Sequence, residues 1–340
     1  MNTKQIAFTK VNTAELLETS VPDELGEYEV LVKTEFSTIS NGTEKANITG
    51  SDSTSCFDAT APAVFPRYCG YSTSGTVVKI GSKVTRVAPG DKVAMYWSAH
   101  KSYNLINEKG VVKIEYDNVD MQSASICHIG CFPLAAIRKT KVEIGESALV
   151  MGLGILGLIA VKQLKVAGAA PIVAVDPVEK RRALALKYGA DYAFDPSEEG
   201  FADKVKKVTD SGANVCIEVT GVGAGLNGAL DCMKKFGRVA LLGCTRSSHF
   251  EVDYYRKVHG PGISLIGAHT MARPVEESSH GNYTTADDIR TQLKLLAMGR
   301  ITYKDMIEEV HKPEECTKVF HRLVNDKEFP ACVQFDWNKQ

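Results

Sequence analysis

The feature that most constrains the fold is a glycine-rich segment between two short apolar runs. Ala148 to Met151 is an apolar run typical of a buried strand, and Gly152-Leu-Gly-Ile-Leu-Gly157 follows it directly. A second apolar run, Ile172 to Val175, ends at Asp176. Strand, glycine turn, helix, strand and terminal acid, in this order, form the pattern of a βαβ unit that binds a dinucleotide. The sequence therefore predicts such a unit in the middle of the chain.

The three glycines have separate roles in this pattern. Gly152 lets the chain turn tightly off the strand, Gly154 leaves space for a pyrophosphate, and Gly157 allows the helix to pack closely on the strand. The phosphates would lie at the positive end of the helix. Asp176 would accept hydrogen bonds from a ribose diol and repel a 2′-phosphate, so the predicted cofactor is NAD rather than NADP.

Two arginines follow the acid, and an arginine at this place can accommodate a 2′-phosphate. They are Arg181 and Arg182, and a solvated helix face is the preferred interpretation of the pair. The predicted cofactor-binding residues are Gly152, Gly154, Ile155, Leu156, Gly157, Asp176, Arg181, Thr220 and Gly243.

Composition limits the possible partners. A chain of 340 residues with 44% hydrophobic residues can bury a large core and is expected to form two domains. Its formal net charge of -1, without long runs of one sign, argues against nucleic acid and for a small-molecule substrate. We expect no signal peptide and no membrane span, and hence a cytoplasmic protein. The 9 cysteines form no CxxC pair, which fits reduced thiols.

Two kinds of periodicity divide the chain. The middle third alternates strands and helices with short loops, which predicts an α/β fold with a doubly wound parallel sheet. The predicted helices there include Ile155 to Ala167 and Gly225 to Lys235, and the strand Ile263 to Ile266 ends the series. The preceding part has short β-branched runs separated by Pro and Gly, such as Gly75 to Ile80, and it predicts a β-rich domain.

The chain resembles the medium-chain dehydrogenase/reductase superfamily, which includes zinc alcohol, sorbitol and threonine dehydrogenases. The resemblance rests on the order and spacing of four segments: Gly70-Tyr-Ser-Thr-Ser-Gly-Thr-Val-Val-Lys-Ile-Gly81, Pro89-Gly-Asp-Lys-Val-Ala94, Val142-Glu-Ile-Gly145 and Lys187-Tyr-Gly-Ala-Asp191. It implies a GroES-like β-rich catalytic domain formed by residues 1–130 and 271–340, and a Rossmann NAD-binding domain formed by residues 131–270.

The chain departs from this family at the catalytic zinc site. Zinc-dependent members have a cysteine where this chain has Asn41 and a histidine where it has Tyr71. The third ligand position falls on Cys127 or His128, and Cys69 is a further cysteine that could lie near it. The stretch from Val93 to Tyr103 also contains no cysteine of the kind that holds the family's structural zinc. The sequence predicts no bound metal.

Without zinc, other groups must stabilise the oxyanion and carry the hydroxyl proton. The resemblance gives Thr43 the place of the hydroxyl that relays the proton, and Tyr71 the place of a metal-binding histidine, where a phenol could donate to the substrate oxygen. His128 could act as a general base. Thr43, Tyr71 and His128 are thus the predicted catalytic residues. A backbone-bonded turn residue, a packed tyrosine and a structural histidine are the respective alternatives.

The predicted function is NAD-dependent hydride transfer between nicotinamide and a secondary alcohol or ketone, without catalytic zinc. A polyol, a sugar or a related hydroxylated compound is the expected substrate class. Two alternatives remain: a zinc-free quinone or enoyl-type reductase, and a non-catalytic nucleotide-binding protein. Because the strand Ile263 to Ile266 is apolar and is expected at a sheet edge, we also predict a homodimer or tetramer.

Overall fold

The chain forms mainly antiparallel sheets in its first and last parts and a parallel sheet in the middle. A computed structural model describes residues 1–51, 63–245, 247 and 249–339. The strands are β1 (Asn2–Lys10), β2 (Thr13–Ser20), β3 (Glu29–Thr38), β4 (Arg67–Tyr68), β5 (Ser72–Ile80), β6 (Lys92–Tyr96), β7 (Tyr103–Asn107), β8 (Val111–Lys113), β9 (Ala148–Met151), β10 (Ile172–Val175), β11 (Tyr192–Phe194), β12 (Ala213–Glu218), β13 (Met233–Leu241), β14 (Ser264–Gly267), β15 (Glu309–His311) and β16 (Val333–Asp336). The α-helices are α1 (Asn41–Ile48), α2 (Met121–Ala124), α3 (Cys127–Thr140), α4 (Ile155–Ala167), α5 (Glu179–Tyr188), α6 (Phe201–Val208), α7 (Gly223–Asp231), α8 (Thr285–Ala297) and α9 (Cys316–Asn325).

Two compact units can be distinguished, one made of Met1–Ile129 and Thr285–Gln340 and the other of Gly130–Thr284. The sequence-based division instead placed residues 271–284 in the first unit. In the structure this segment makes hydrogen bonds with the part of α3 that belongs to the second unit. Arg273 Nη2 donates to the carbonyl oxygen of Cys131 at 2.8 Å, and Lys139 Nζ donates to the carbonyl oxygen of Ala272.

The first unit is built on a sheet with the strand order β15-β16-β3-β5-β6-β8, in which β7 also pairs with β3. A smaller sheet has the order β2-β1-β4. Val30 and Val32 of β3 are fully buried and pack with Val93 and Met95 of β6 in one apolar cluster. This alternation places every second side chain of a strand in the core.

The second unit contains a parallel sheet with the order β11-β10-β9-β12-β13-β14. Counted within the unit this is the order 3-2-1-4-5-6 of a doubly wound dinucleotide-binding fold. The predicted α/β architecture is therefore confirmed. Central strands β9 and β10 are buried along their whole length, as expected for a parallel sheet covered on both faces. β14 is an edge strand, and Leu265 in it is 42% exposed.

Several element boundaries agree with the sequence analysis and others do not. The helix Ile155–Ala167 has the predicted bounds. The predicted helix Gly225 to Lys235 is wrong at its end, because α7 stops at Asp231 and β13 begins at Met233, pairing with β12. The motif that begins at Asn41 is the start of helix α1 rather than an isolated turn.

A search of the helices among the described residues finds none long and apolar enough to cross a membrane.

Candidate functional site

The glycine-rich segment forms the connection between β9 and α4. Gly152 has φ +97°, a left-handed conformation that favours glycine, and its N–H donates to the carbonyl oxygen of Val175 at 2.8 Å. The first hydrogen bond inside α4 runs from Leu158 N to Gly154 O at 3.0 Å. The N–H groups of the first helical turn lie ahead of that bond, at the positive end of the helix. This end can hold a pyrophosphate.

The two later glycines differ in what surrounds them. A Cβ placed on Gly157 would lie 1.9 Å from the carbonyl oxygen of Gly152, so the helix sits directly on the turn. A Cβ placed on Gly154 would have nothing within 4 Å, so space is open beside the main chain there. Gly157 thus serves packing, and Gly154 leaves room for a ligand. These residues fit a bound dinucleotide.

Asp176 lies at the end of β10 and is only 4% exposed. Its Oδ2 accepts from Leu153 N and its Oδ1 from Val178 N, each at 2.8 Å. The carboxylate is therefore held next to the glycine turn by two main-chain donors. Arg181 Nη1 is 3.8 Å from Asp176 Oδ2.

Arg182 is not on a solvated face, contrary to the preferred interpretation. Its Nη1 donates to the carbonyl oxygens of Asp176 at 2.8 Å and Pro177 at 2.9 Å, and to Asp195 Oδ2 at 3.0 Å. The guanidinium thus connects the end of β10 with the segment after β11, because five donors in a fixed fork can serve several acceptors at once.

Thr220 and Gly243 lie at the carboxyl ends of β12 and β13. The methyl carbon of Thr220 is 3.0 Å from where a Cβ on Gly152 would be, so Thr220 adjoins the glycine turn. Gly243 N donates to the carbonyl oxygen of Glu218 at 2.9 Å. The structure brings both residues to the edge of the sheet where open α/β folds bind ligands.

Glu218, which the sequence analysis missed, organises this edge. Its buried carboxylate accepts from Thr220 N at 2.8 Å, from Thr220 Oγ1 and from Gly221 N at 3.3 Å. Burial raises the pKa of Glu218, and the hydrogen bonds from Thr220 oppose that rise. The available signal was an acid inside the apolar run Val215 to Val219.

Tyr71 and His128 are in direct contact in the first unit. His128 Nδ1 is 2.7 Å from the carbonyl oxygen of Tyr71, and the ring centroids are 5.3 Å apart at 78°. A carbonyl oxygen only accepts, so Nδ1 carries the hydrogen and Nε2 carries the lone pair of the neutral imidazole. His128 is 1% exposed. This tautomer suits proton acceptance at Nε2.

Two further aromatic rings surround this imidazole. The ring centroids of Tyr96 and Trp97 are 5.7 Å and 4.8 Å from that of His128. Trp97 is 51% exposed and has φ +56°, an uncommon conformation for a large residue. The sequence analysis did not select this pair, although two adjacent aromatic residues follow the apolar run at the end of β6.

The Tyr71 hydroxyl reaches the start of α1. It lies 2.5 Å from Ser40 Oγ, to which it donates. Ser40 precedes α1 and accepts the first helical bond from Glu44 N at 2.9 Å. Thr43 is in the same first turn, and its carbonyl oxygen accepts from Asn47 Nδ2 at 2.9 Å. Phenol, imidazole and hydroxyls can together exchange a proton with an alcohol oxygen.

The residues at the family's zinc positions do not fit a catalytic zinc ion. Asn41 Nδ2 donates to the carbonyl oxygen of Pro330 at 2.8 Å, and the phenol of Tyr71 is a poor ligand in its neutral form. Cys127 Sγ lies 3.7 Å from the carbonyl oxygen of Ser123 in the preceding helix α2, and burial raises the pKa of this thiol. The described residues at these positions therefore offer fewer than the three ligands that a catalytic zinc site requires.

Glu44, by contrast, lies in a second buried group. It is 1% exposed, and its two carboxylate oxygens are 3.2 Å and 3.1 Å from His100 Nε2. His100 is itself fully buried, and both of its ring nitrogens have hydrogen-bond partners.

Comparisons with known proteins match both units. Residues 26–114 match the alcohol dehydrogenase GroES-like domain family, and residues 156–280 match the zinc-binding dehydrogenase family. D-guloside 3-dehydrogenase of Shigella flexneri is 25% identical over 239 residues, which cover 69% of this chain and 67% of that protein.

Solved structures match over nearly the whole chain. A predicted zinc-binding dehydrogenase from Sinorhizobium meliloti 1021, bound to NADP, is 20% identical with a TM-score of 0.81 and 99% of both chains covered. A short chain alcohol dehydrogenase from Escherichia coli CFT073, in complex with NADH, is 17% identical with a TM-score of 0.83, and 98% of this chain and 99% of that chain are covered. At these identities the likeness shows the fold.

Proposed function

Because the chain belongs to the medium-chain dehydrogenase/reductase superfamily, we propose that it is an NAD-dependent oxidoreductase acting on a secondary alcohol or its ketone without catalytic zinc. The observation that supports the proposal is the contact between Tyr71 and His128, a phenol and an imidazole that we propose act as acid and base in place of the metal of zinc-dependent relatives. Polyols, sugars and related hydroxylated compounds are the proposed substrates.

In the proposed reaction, the turn formed by Gly152, Gly154 and Gly157 would hold NAD, which would supply the acceptor for the hydride of the carbinol carbon. The substrate hydroxyl must lose its proton at the same stage, since a carbonyl forms. His128 Nε2 is the proposed acceptor, because its Nδ1 hydrogen is held by the Tyr71 carbonyl. The Tyr71 hydroxyl, which donates to Ser40 Oγ in the structure, would turn its hydrogen to the substrate oxygen and stabilise the negative charge there. Thr43, in the first turn of α1, is the proposed relay hydroxyl.

The preference for NAD rests on Asp176. Its carboxylate is buried and held by two main-chain N–H groups, so it cannot easily move away from a 2′-phosphate. A ribose diol can donate to the remaining lone pairs of the carboxylate. Arg181 Nη1, 3.8 Å from Asp176, partly offsets the negative charge, so we expect a preference for NAD and not complete exclusion of NADP.

The proposed substrate class rests on the rings beside His128 and on a relative. Half-exposed Trp97 and neighbouring Tyr96 offer apolar faces next to the polar groups. Such a surface suits a ring with C–H bonds on its faces and hydroxyls at its edge. D-guloside 3-dehydrogenase, a similar protein, is named for a substrate of this kind.

The test has three parts. NADH and NADPH are titrated by fluorescence, NAD-dependent oxidation of a panel of polyols and sugars is measured, and turnover is repeated after brief exposure to a chelator. Tyr71→Phe should lower kcat by roughly a hundredfold or more, the effect of losing one donor to an oxyanion, with NADH affinity unchanged. Tyr68→Phe is the matched control, because Tyr68 is 62% exposed, and it should keep full kcat.

Three results would contradict the proposal. Tighter binding of NADPH with turnover of quinones or enones would favour the reductase alternative. Binding of NADH with no turnover on any alcohol or ketone would favour a nucleotide-binding protein. Turnover that is lost on chelation and restored by zinc, while circular dichroism shows that the chelated protein stays folded, would refute the zinc-free reaction.

A further inference from the structure

Glu44, Cys69 and His100 form a fully buried cluster of three side chains that can ligate a metal. Their exposed fractions are 1%, 5% and 0%. One ligand atom from each lies within 4.8 Å of the others. The cluster does not include Asn41 or Tyr71, so it is separate from the positions at which zinc-dependent relatives bind the catalytic ion.

The spacing of the ligand atoms matches a small tetrahedral ion. Bonds of about 2.0–2.3 Å place neighbouring ligand atoms of a tetrahedral zinc about 3.3–3.8 Å apart. His100 Nε2 is 3.2 Å from Oε1 and 3.1 Å from Oε2 of Glu44. Only a small outward shift is needed to admit an ion. Because both oxygens face the imidazole, the carboxylate of Glu44 can bind the ion through either oxygen.

The main chain holds two of the ligands next to each other. His100 N donates to the carbonyl oxygen of Cys69 at 2.9 Å. Between Cys69 and the next strand stands Gly70, with φ +84°, and a Cβ on it would lie 2.4 Å from His100 N. The close approach of the two segments therefore requires glycine at this position.

The imidazole of His100 is oriented from its other side. His100 Nδ1 is 2.7 Å from Ser37 Oγ, which also accepts from Trp337 Nε1 at 2.8 Å. Hydrogen bonding to the second ring nitrogen is the usual support of a metal-ligating histidine. The backbone N–H of Ser40 donates to Glu44 Oε1 at 3.1 Å and supports the carboxylate in the same way.

The charges of the cluster balance with a divalent ion. A thiolate, a carboxylate and a neutral imidazole around Zn²⁺ give a neutral complex, which suits a site without solvent. A thiolate and an imidazole also favour zinc over calcium or magnesium. Without a metal, burial and the nearby Glu44 raise the pKa of the Cys69 thiol, so binding must release its proton.

We propose that Glu44, Cys69 and His100 bind one structural zinc ion in the first unit. The ion would connect α1 with the segment after β4 and the segment before β7, and it would take no part in hydride transfer. The inference does not depend on the proposed function, because it concerns other residues and is tested without substrate or cofactor.

The full-length protein is produced in zinc-supplemented medium, desalted and analysed for metals by mass spectrometry. We expect about one zinc atom per chain in the wild type, and less than about a tenth of that in Cys69→Ser and Glu44→Gln. Cys332→Ser is the matched control, since Cys332 is also fully buried, and it should keep its zinc. Co²⁺ added to metal-free wild type should produce a thiolate-to-cobalt charge-transfer band.

The cobalt measurement keeps the test valid if the cluster variants do not fold. A wild-type protein with no zinc and no charge-transfer band overturns the proposal. So does zinc that is retained in folded Cys69→Ser, or zinc that is lost to the same extent in Cys332→Ser.

Discussion

Replacing Gly154 and Gly157 one at a time by alanine should separate an effect on cofactor affinity from an effect on the stability of the fold. Gly154 has φ -69° and ψ -171°, a conformation open to any residue, and a Cβ there has nothing within 4 Å. Gly154→Ala should therefore change the free energy of unfolding by no more than about 0.5 kcal/mol. The added methyl group would occupy the space through which the pyrophosphate approaches the main chain.

The expected loss of cofactor affinity in Gly154→Ala can be calculated from the hydrogen bonds that the pyrophosphate would lose. A phosphate held at a distance from the helix end would lose at least one bond between a main-chain N–H and a charged oxygen. Such a bond contributes about 1.5–3 kcal/mol, which corresponds to a Kd raised about 10- to 150-fold. NADH and NADPH should be weakened alike, because both carry the pyrophosphate.

Gly157→Ala should behave differently. Its Cβ would lie 1.9 Å from the carbonyl oxygen of Gly152 and 2.9 Å from its carbon, so helix α4 or the turn must shift. Overpacking of this kind costs about 1–3 kcal/mol or more. We expect a lower midpoint of denaturant unfolding for Gly157→Ala, and weaker cofactor binding only as a result of the shifted turn.

Fluorescence titration with NADH and urea unfolding of both variants provide the comparison with the wild type. If Gly154→Ala binds NADH as tightly as the wild type, the pyrophosphate does not lie where the open space indicates. If Gly157→Ala has the same urea midpoint as the wild type, α4 does not pack on the turn as closely as described.

Three further predictions concern the cofactor preference, the proton acceptor and the assembly. Asp176→Ala should narrow the ratio of NADH to NADPH affinity, measured by titration, and an unchanged ratio would show that the buried carboxylate does not discriminate between them. His128→Asn keeps an N–H donor for the Tyr71 carbonyl but removes the base, so kcat should fall roughly a hundredfold or more. Thr43→Ala should lower kcat if the relay role is right. Full kcat in Tyr71→Phe and in both of these variants would refute the proposed site. We propose that the edge strand Ser264–Gly267 pairs with its copy in a homodimer or tetramer, and a monomer in light scattering at micromolar concentration would contradict this.

The parallel sheet was predictable because its signals are local. Each strand of the β9 and β10 pair is a continuous apolar run, and the glycine turn and Asp176 mark the ends of the runs. The helix Ile155–Ala167 ends at a glycine in the left-handed conformation, a standard stop signal that fixed its bound correctly.

The missed features depend on contacts between distant segments. Helix α1 contains Gly42 and has little apolar periodicity, and it is held partly by the bond from Ser40 N to Glu44 in the same buried group as His100. The pairing of Glu44 with His100 joins residues 56 positions apart, which no spacing rule reveals. Trp97 approaches His128 only because β6 and α3 meet in the fold.

Tyr71 makes a hydrogen bond with His128 through its main chain and with Ser40 through its side chain. The imidazole tautomer is therefore independent of which amino acid occupies position 71. Substitutions there can alter the group that meets the substrate while the basic nitrogen keeps its orientation. A library of variants at position 71 would therefore exchange the proposed donor to the substrate oxygen alone, with the proton acceptor left intact.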